Sequence, residues 1–259
     1  MKMSVAMAFY EGGAYVESQL RSILDQTLLP DEIVICDDGS REDMGPRLKA
    51  IAADCPVPIR LYRNPGNLGV ISNFEKAIGL CRGDYVALCD QDDVWNRDKL
   101  ELSLAAMEAE EAAYPDRPVL VHTDLTVVDT DLKPLEASFL SSFSLHKSSH
   151  GAGARASRLF ALRLALQNNV NGCTCLMNRR LLQLALPFPS SVLMHDHWLA
   201  LLAALHGRLL TLPQATVLYR QHGGNQIGAR RHFDIARLAG HVETLRLKLR
   251  QLGDARRRA

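Results

Sequence analysis

The chain has 259 residues, 47% hydrophobic and 23% charged, with a net charge of +1. That length and composition suit one large globular domain with a substantial core. The near-neutral balance gives no electrostatic case for nucleic acid, and no uncharged apolar run approaches the ~20 residues that would cross a bilayer.

Six cysteines stand at 36, 55, 81, 89, 173 and 175. None forms a Cys-x-x-Cys pair and several lie in apolar runs. They read as reduced core thiols of a cytosolic protein rather than a disulfide frame or a zinc site. The stretch Met1 to Tyr10 is too short for a signal peptide, and no internal repeat is visible.

In chain order, Ser4 to Phe9 reads as a first strand and runs into Tyr10-Glu11-Gly12-Gly13, where two glycines permit a tight turn or a close approach to a ligand. Val16, Leu20, Ile23 and Leu24 recur at helical spacing, so a helix is expected to about Gln26. Glu32 to Cys36 is a second strand, ending in Asp37-Asp38-Gly39-Ser40. Strand, helix and strand make a βαβ unit and predict a parallel sheet. A helix over 44–53, a strand over 59–62, a turn-rich loop Arg63 to Gly69 and a helix over 70–81 follow.

Tyr85 to Cys89 is then an apolar strand that ends in Asp90, Asp92 and Asp93. Carboxylates at the carboxyl end of a parallel strand lie where open α/β sheets bind ligands. Acids this close repel one another, and a hard cation such as Mg2+ or Mn2+ would relieve that cost. The plain alternative is an acidic turn capping the next helix.

Lys99 to Ala113 reads as a helix, and Val119 to Asp124 as a strand paired with, or continued by, 126–128. Residues 138–157, rich in Ser, Gly, Ala and His, read as a mobile loop that could serve as a lid. Helices are expected over 159–166 and 179–185, and over 199–206 where His195 to Trp198 open the helix, with a polar turn and short strand over 168–177. Short strands are expected over 209–212 and 216–219. From Arg230 onward the chain is basic and helical. Phe233, Leu238, Val242, Leu245 and Leu249 form a stripe that either packs back on the domain or faces an anionic membrane or a second copy.

These segments resemble a known pattern. Leu20 to Thr27 is similar to L-x-S-[IV]-L-x-Q-T, and Ile33 to Ser40 to EIVVVDDGS. Asn64 to Gly69 is similar to N-x-G-N-x-G, and Gly83 to Trp95 to GDYIAFLDQDDIW. Over about residues 3 to 225 the chain resembles the family 2 glycosyltransferases. That implies a GT-A fold, a Rossmann-like and mostly parallel central sheet flanked by helices. Residues 1–95 would be the nucleotide-binding half, 96–225 the acceptor-binding half, and 226–259 a basic amphipathic helix. The turn Asn171 to Thr174, His195-Asp196-His197-Trp198 and Tyr219 to His222 look most like bacterial rhamnosyltransferases. Glu11 stands where Asn is usual, and His197 where an aromatic is frequent.

The resemblance implies an inverting, Mg2+- or Mn2+-dependent transfer from a nucleotide-diphosphate sugar to a growing surface polysaccharide or lipid-linked glycan. The setting would be cytoplasmic, with a peripheral place on the inner face of the membrane as an option. dTDP-L-rhamnose is the favoured donor and a UDP-hexose the alternative. Phe9, Tyr10, Glu11, Asp37, Asp38, Asn64, Asn67, Gly69, Asp90, Gln91 and Asp92 would hold the donor. Asp92 and His222 would bind the metal, and Asp196 would be the base. Asn171, Gly172, His195, His197 and Trp198 would face the acceptor. Asp90 to Val94 also fits the D-x-D-x-[TV] signature of haloacid-dehalogenase phosphatases. Its place on a fourth strand and the lack of a later Gly-Asp-x-x-x-Asp argue against that. The turn after the first strand lacks the basic residue of a nucleotidyltransferase. A non-catalytic sugar-nucleotide binder is the remaining rival.

Overall fold

The computed structural model describes residues 1–53, 56–142, 154–223 and 238–258. Strand β1 (Met3–Phe9), helix α1 (Val16–Leu24), β2 (Glu32–Asp37), α2 (Gly45–Ala53), β3 (Ile59–Arg63), α3 (Val70–Leu80) and β4 (Tyr85–Cys89) follow the predicted alternation. Then come β5 (Val94–Trp95), α4 (Lys99–Ala113), β6 (Val119–Val128), β7 (Pro134–Glu136), α5 (Ala154–Leu166), β8 (Cys175–Asn178), α6 (Arg179–Ala185), α7 (His195–His206), β9 (Arg208–Arg220) and α8 (Leu238–Arg256).

Among the described residues one sheet runs β3-β2-β1-β4-β8-β6-β9-β5, with β7 added beside β6. β1 to β4 are mutually parallel, as βαβ winding requires. β8 runs antiparallel to both β4 and β6, so the second half of the sheet is mixed. Every residue of β2 is buried, which is why it reads as an unbroken apolar run: helices cover both faces. Val5 and Met7 of β1 pack with Leu20 of α1, Leu48 of α2 and Leu100 of α4. Ala6 faces the other way, toward Phe74 of α3, Leu164 of α5 and the interior of α7. The winding reverses between β1 and β4, and open sheets place their ligand crevice at such a switch point.

Several expectations are corrected in detail. β6 is one continuous strand through Val128. The two short strands after Gly207 are one 13-residue strand, β9, which tolerates register shifts near Asp124. α5 starts at Ala154, inside the stretch read as loop. Most of the expected lid and Phe233 of the apolar stripe lie outside the described residues. No helix among the described residues is long and apolar enough to cross a membrane.

Candidate active site

Because β1, β2 and β4 are parallel, Phe9, Asp37 and Asp90 come to the same edge of the sheet. β8 runs the opposite way, so the turn before it, Gly172 to Thr174, lies at that edge too. The N-terminus of α7 abuts the same turn, since Gly172 N–H donates to Asp196 Oδ2 at 3.1 Å.

Asp37 and Asp38 are buried at this edge. Asp37 Oδ1 accepts from the backbone N–H and hydroxyl of Ser40, at 2.9 and 2.6 Å. Asp38 Oδ1 accepts from Asn64 Nδ2 and Leu68 N, both at 2.8 Å, and Oδ2 accepts from Gly69 N at 2.9 Å. Asp38 therefore shapes the 64–69 loop with its own oxygens. Asn64 is equally committed: its Nδ2 also donates to Asn73 Oδ1, and its Oδ1 accepts from Lys76 Nζ. Asn67 Oδ1 accepts from Gly69 N at 3.0 Å, with Gly69 at φ 84°. Asp38→Ala is expected to lower stability by about 1–3 kcal/mol, because buried donors lose their acceptor. Denaturant midpoints check this, and nucleotide affinity should fall in parallel as the loop loosens.

Phe9 is 1% exposed and belongs to the core, so of this residue only the carbonyl, which accepts from Asp38 N, reaches the edge. Gln91 bridges the switch point: its Oε1 accepts from Tyr10 N at 2.7 Å and its Nε2 donates to Tyr10 O at 2.9 Å. Gly12 is needed here, since a Cβ at that position would stand 2.2 Å from Gln91 Cδ. Glu11 sits at φ 51°, a conformation Asn adopts more readily than Glu. Its N–H donates to Ser40 Oγ and its Oε1 accepts from Arg41 N.

The acidic run splits in two directions. His222 Nε2 and Asp92 Oδ2 are 2.8 Å apart, so the two expected metal residues meet. Asp90 and Asp93 turn toward Cys173, and one ligand atom from each of the three lies within 4.8 Å of the others. Enclosure, then the charges of Asp92 and Asp196, push the Asp90 carboxyl up to about 8. Burial, then Asp92 and Asp90, raise Asp93 well above the carboxylate range. Asp93 is 0% exposed, and no nitrogen or hydroxyl donor reaches its Oδ2 among the described residues, so this oxygen is one that could serve a cation. The carboxylates suit a hard divalent ion; the thiol does not. Arg220 braces the run, donating from N to Asp93 Oδ1 and from Nε to the Asp92 carbonyl. Its guanidinium lies 4.7 Å over the Tyr15 ring, which also packs against His222 at 4.9 Å. Cys173, Tyr15 and Arg220 carried no individual role in the sequence reading, and Asp93 only that of one acid among three. The Tyr-Arg-Gln-His run after a strand was the available signal for Arg220.

Asp196 is 9% exposed. Burial raises its carboxyl to about 6, opposed by backbone donors from His197 and Gly172 and by Asn168. The acceptor expectations divide. Trp198 is fully buried and its Nε1 donates to Ala185 O at 3.2 Å, so it is a core residue. His197 is buried with Nε2 on the Leu164 carbonyl at 2.9 Å. His195 is buried, stacked on Phe74 at 3.9 Å, with burial lowering it to about 3 and neither ring nitrogen partnered among the described residues. A Cβ on Gly172 would stand 2.7 Å from His195 Nε2. Asn171 is half-buried, and its carbonyl accepts from Thr174 Oγ1 at 2.7 Å to close the turn. Gly172→Ala should displace the turn or His195 and thus the Asp196 carboxylate. Up to about 100-fold loss of turnover is expected from such a shift, with donor affinity unchanged, as steady-state kinetics beside calorimetry will show.

The segment that leads into α7 is held from behind by α8. Leu193 N donates to Gln251 Oε1 at 3.1 Å, and Ser191 Oγ donates to Asp254 Oδ2. Arg258 NH2 donates to the carbonyls of Ala185 and Pro187. Leu252 and Ala255 are buried in the core beside Val192.

Three comparisons bear on this geometry. The family description "Glycosyl transferase family 2" matches residues 4–135. An uncharacterized protein of Mycobacterium tuberculosis is 26% identical over 221 residues, covering 85% of this chain; the chain spans 59% of that protein's length. A dTDP-rhamnosyl transferase, RfbG, of Shigella flexneri is 24% identical over 235 residues, covering 86% of this chain and 74% of that one. Among solved structures, S. aureus TarS 1–349 in complex with UDP-GlcNAc superposes with a TM-score of 0.67 at 17% identity, covering 97% of this chain and 66% of that one. At that identity the likeness is one of fold, and the mixed α/β sheet agrees with it.

Proposed function

The chain belongs to glycosyl transferase family 2, and from that premise we propose that it moves a sugar, with inversion, from a nucleoside-diphosphate donor to a glycan or lipid-linked glycan. One observation carries the reading. Asp196 Oδ2 accepts from Gly172 N–H at 3.1 Å, and the next residue, Cys173, has its thiol within 4.8 Å of carboxylate oxygens of Asp90 and Asp93. Acids from the end of β4 and the start of α7 therefore share one site, as a reaction between donor and acceptor needs.

Asp196 takes the proton from the acceptor hydroxyl as that oxygen attacks the anomeric carbon. The bond from that carbon to the diphosphate oxygen breaks, and the nucleoside diphosphate leaves on the opposite face. Gly172 N–H and Asn168 hold the Asp196 carboxylate in place. The donor's base and ribose lie against Asp37 and the 64–69 loop that Asp38 shapes, with Tyr10 and Glu11 at the rim. Asp92 and His222, with Asp90 beside them, would hold Mg2+ or Mn2+, which when bound neutralises the departing diphosphate. The acceptor lies over Asn171 and Gly172.

dTDP-L-rhamnose is the donor we favour, supported by the Shigella flexneri relative. A UDP-hexose is the second reading, supported by the fold likeness to a protein crystallised with UDP-GlcNAc. The acceptor would be a surface polysaccharide under assembly, at the cytoplasmic face of the membrane. A panel of nucleotide sugars with Mn2+, read by mass spectrometry for nucleoside diphosphate release, tests this. One donor class should be consumed and its sugar transferred. Tight binding with no turnover of any donor would make the chain a non-catalytic sugar-nucleotide binder.

A further inference from the structure

We propose that α5 and α8 together form a docking surface for an anionic lipid bilayer. The proposal concerns where the enzyme sits and is separable from its donor chemistry. α5 carries Arg155, Arg158 and Arg163 and no acid. Residues 238–258 carry Arg246, Lys248, Arg250, Arg256, Arg257 and Arg258 against Glu243 and Asp254. Nine cations and two acids leave +7 on these two segments; the whole chain is +1, so the remainder is −6. This is strong segregation of charge in a nearly neutral chain. One of the two acids, Asp254, is already engaged by Ser191 and Arg257.

Apolar surface lies among these cations. Leu162 and Leu166 of α5 are 37% and 47% exposed, and Leu249 of α8 is 48% exposed. Lys248 Nζ donates to the Leu166 carbonyl at 2.7 Å, which lays α8 beside the end of α5. Leu252 and Ala255, on the other side of α8, are spent on the core. The outward leucines have no such use among the described residues. Arg163 and Arg250, each next in sequence to one of them, are exposed.

Cations around exposed leucines match the boundary between headgroups and acyl chains, where anionic lipid attracts the charge and the acyl region takes the side chains. A second copy would bring +7 against +7. A nucleic acid would satisfy the arginines and leave the leucines wet. The contact proposed for this surface is a peripheral one, since no helix among the described residues is long and apolar enough to cross a membrane.

Co-sedimentation of the full chain with vesicles rich in phosphatidylglycerol, against pure phosphatidylcholine, tests the proposal. Binding is expected on the anionic vesicles alone, weakening by about tenfold or more from low to high salt. The pairs Leu166→Glu with Leu249→Glu, and Arg163→Glu with Arg250→Glu, should each cut binding by about tenfold. Circular dichroism and donor turnover in vesicle-free solution should match the parent chain, which separates this result from the fate of the transferase reading. Equal binding to phosphatidylcholine, no sedimentation, or variants that bind as the parent does would overturn it. So would light scattering that shows a dimer abolished by the same substitutions.

Discussion

Asp196→Asn is expected to cut sugar transfer by about 10²–10⁴-fold while donor affinity holds. The amide keeps the size of the carboxylate and can still accept from Gly172 N–H, so the turn before β8 stays in place. It cannot take a proton from an acceptor hydroxyl. The pH profile makes the test specific. With its carboxyl raised to about 6, Asp196 is a competent base only above that pH, so turnover in the parent chain should climb through about pH 6 and then level. Residual turnover in the variant should lack that limb. The sign for stability runs the other way. A carboxyl that titrates higher folded than unfolded keeps a proton the unfolded chain has already released, so its burial costs stability as pH rises from about 4 toward 6. Asp196→Asn should remove that decline from the denaturation midpoints. Transfer that survives with the same acid limb would assign the base elsewhere.

Asp92→Asn carries the second large effect. Asp92 is the acid that meets His222, and its neighbours Asp90 and Asp93 turn inward toward Cys173. Loss of its charge should weaken metal-dependent donor binding by at least about 100-fold, the loss that even outer-shell changes at metal sites can reach. Chelation of the divalent ion from the parent chain should reproduce the defect. Titration calorimetry of donor, with and without Mn2+, reads both. Equal donor affinity in all four conditions would remove the metal from the proposed reaction.

The half of the sheet that holds β1 to β4 was legible because its signals are local. Apolar runs of five to seven residues end in turn residues and acids, and βαβ winding sends each end to one edge. What those acids do there was less legible. Asp38 looks like a ligand contact in sequence, yet its oxygens are taken by Asn64, Leu68 and Gly69. That choice depends on the path of a loop 26 to 31 residues away, which no spacing rule reports. Cys173 joins Asp90 and Asp93 only because β8 pairs antiparallel with β4. Trp198 misleads for a related reason. Ten of the twelve residues of α7 are buried, so the helix has no polar face from which its orientation could be read. His195 and Asp196 border the turn at Gly172, whereas Trp198 turns into the core.

The brace behind α7 bears on how this chain could be re-engineered. Ser191 and Leu193 are fastened to partners 63 and 58 residues further on, so the loop ahead of the proposed base is anchored by a distant helix. A chimera that imports another relative's segment from β8 through α7 would arrive without its anchor. Such grafts should carry both pieces together, and random libraries aimed at acceptor preference gain from including Gln251 and Asp254 among their varied positions.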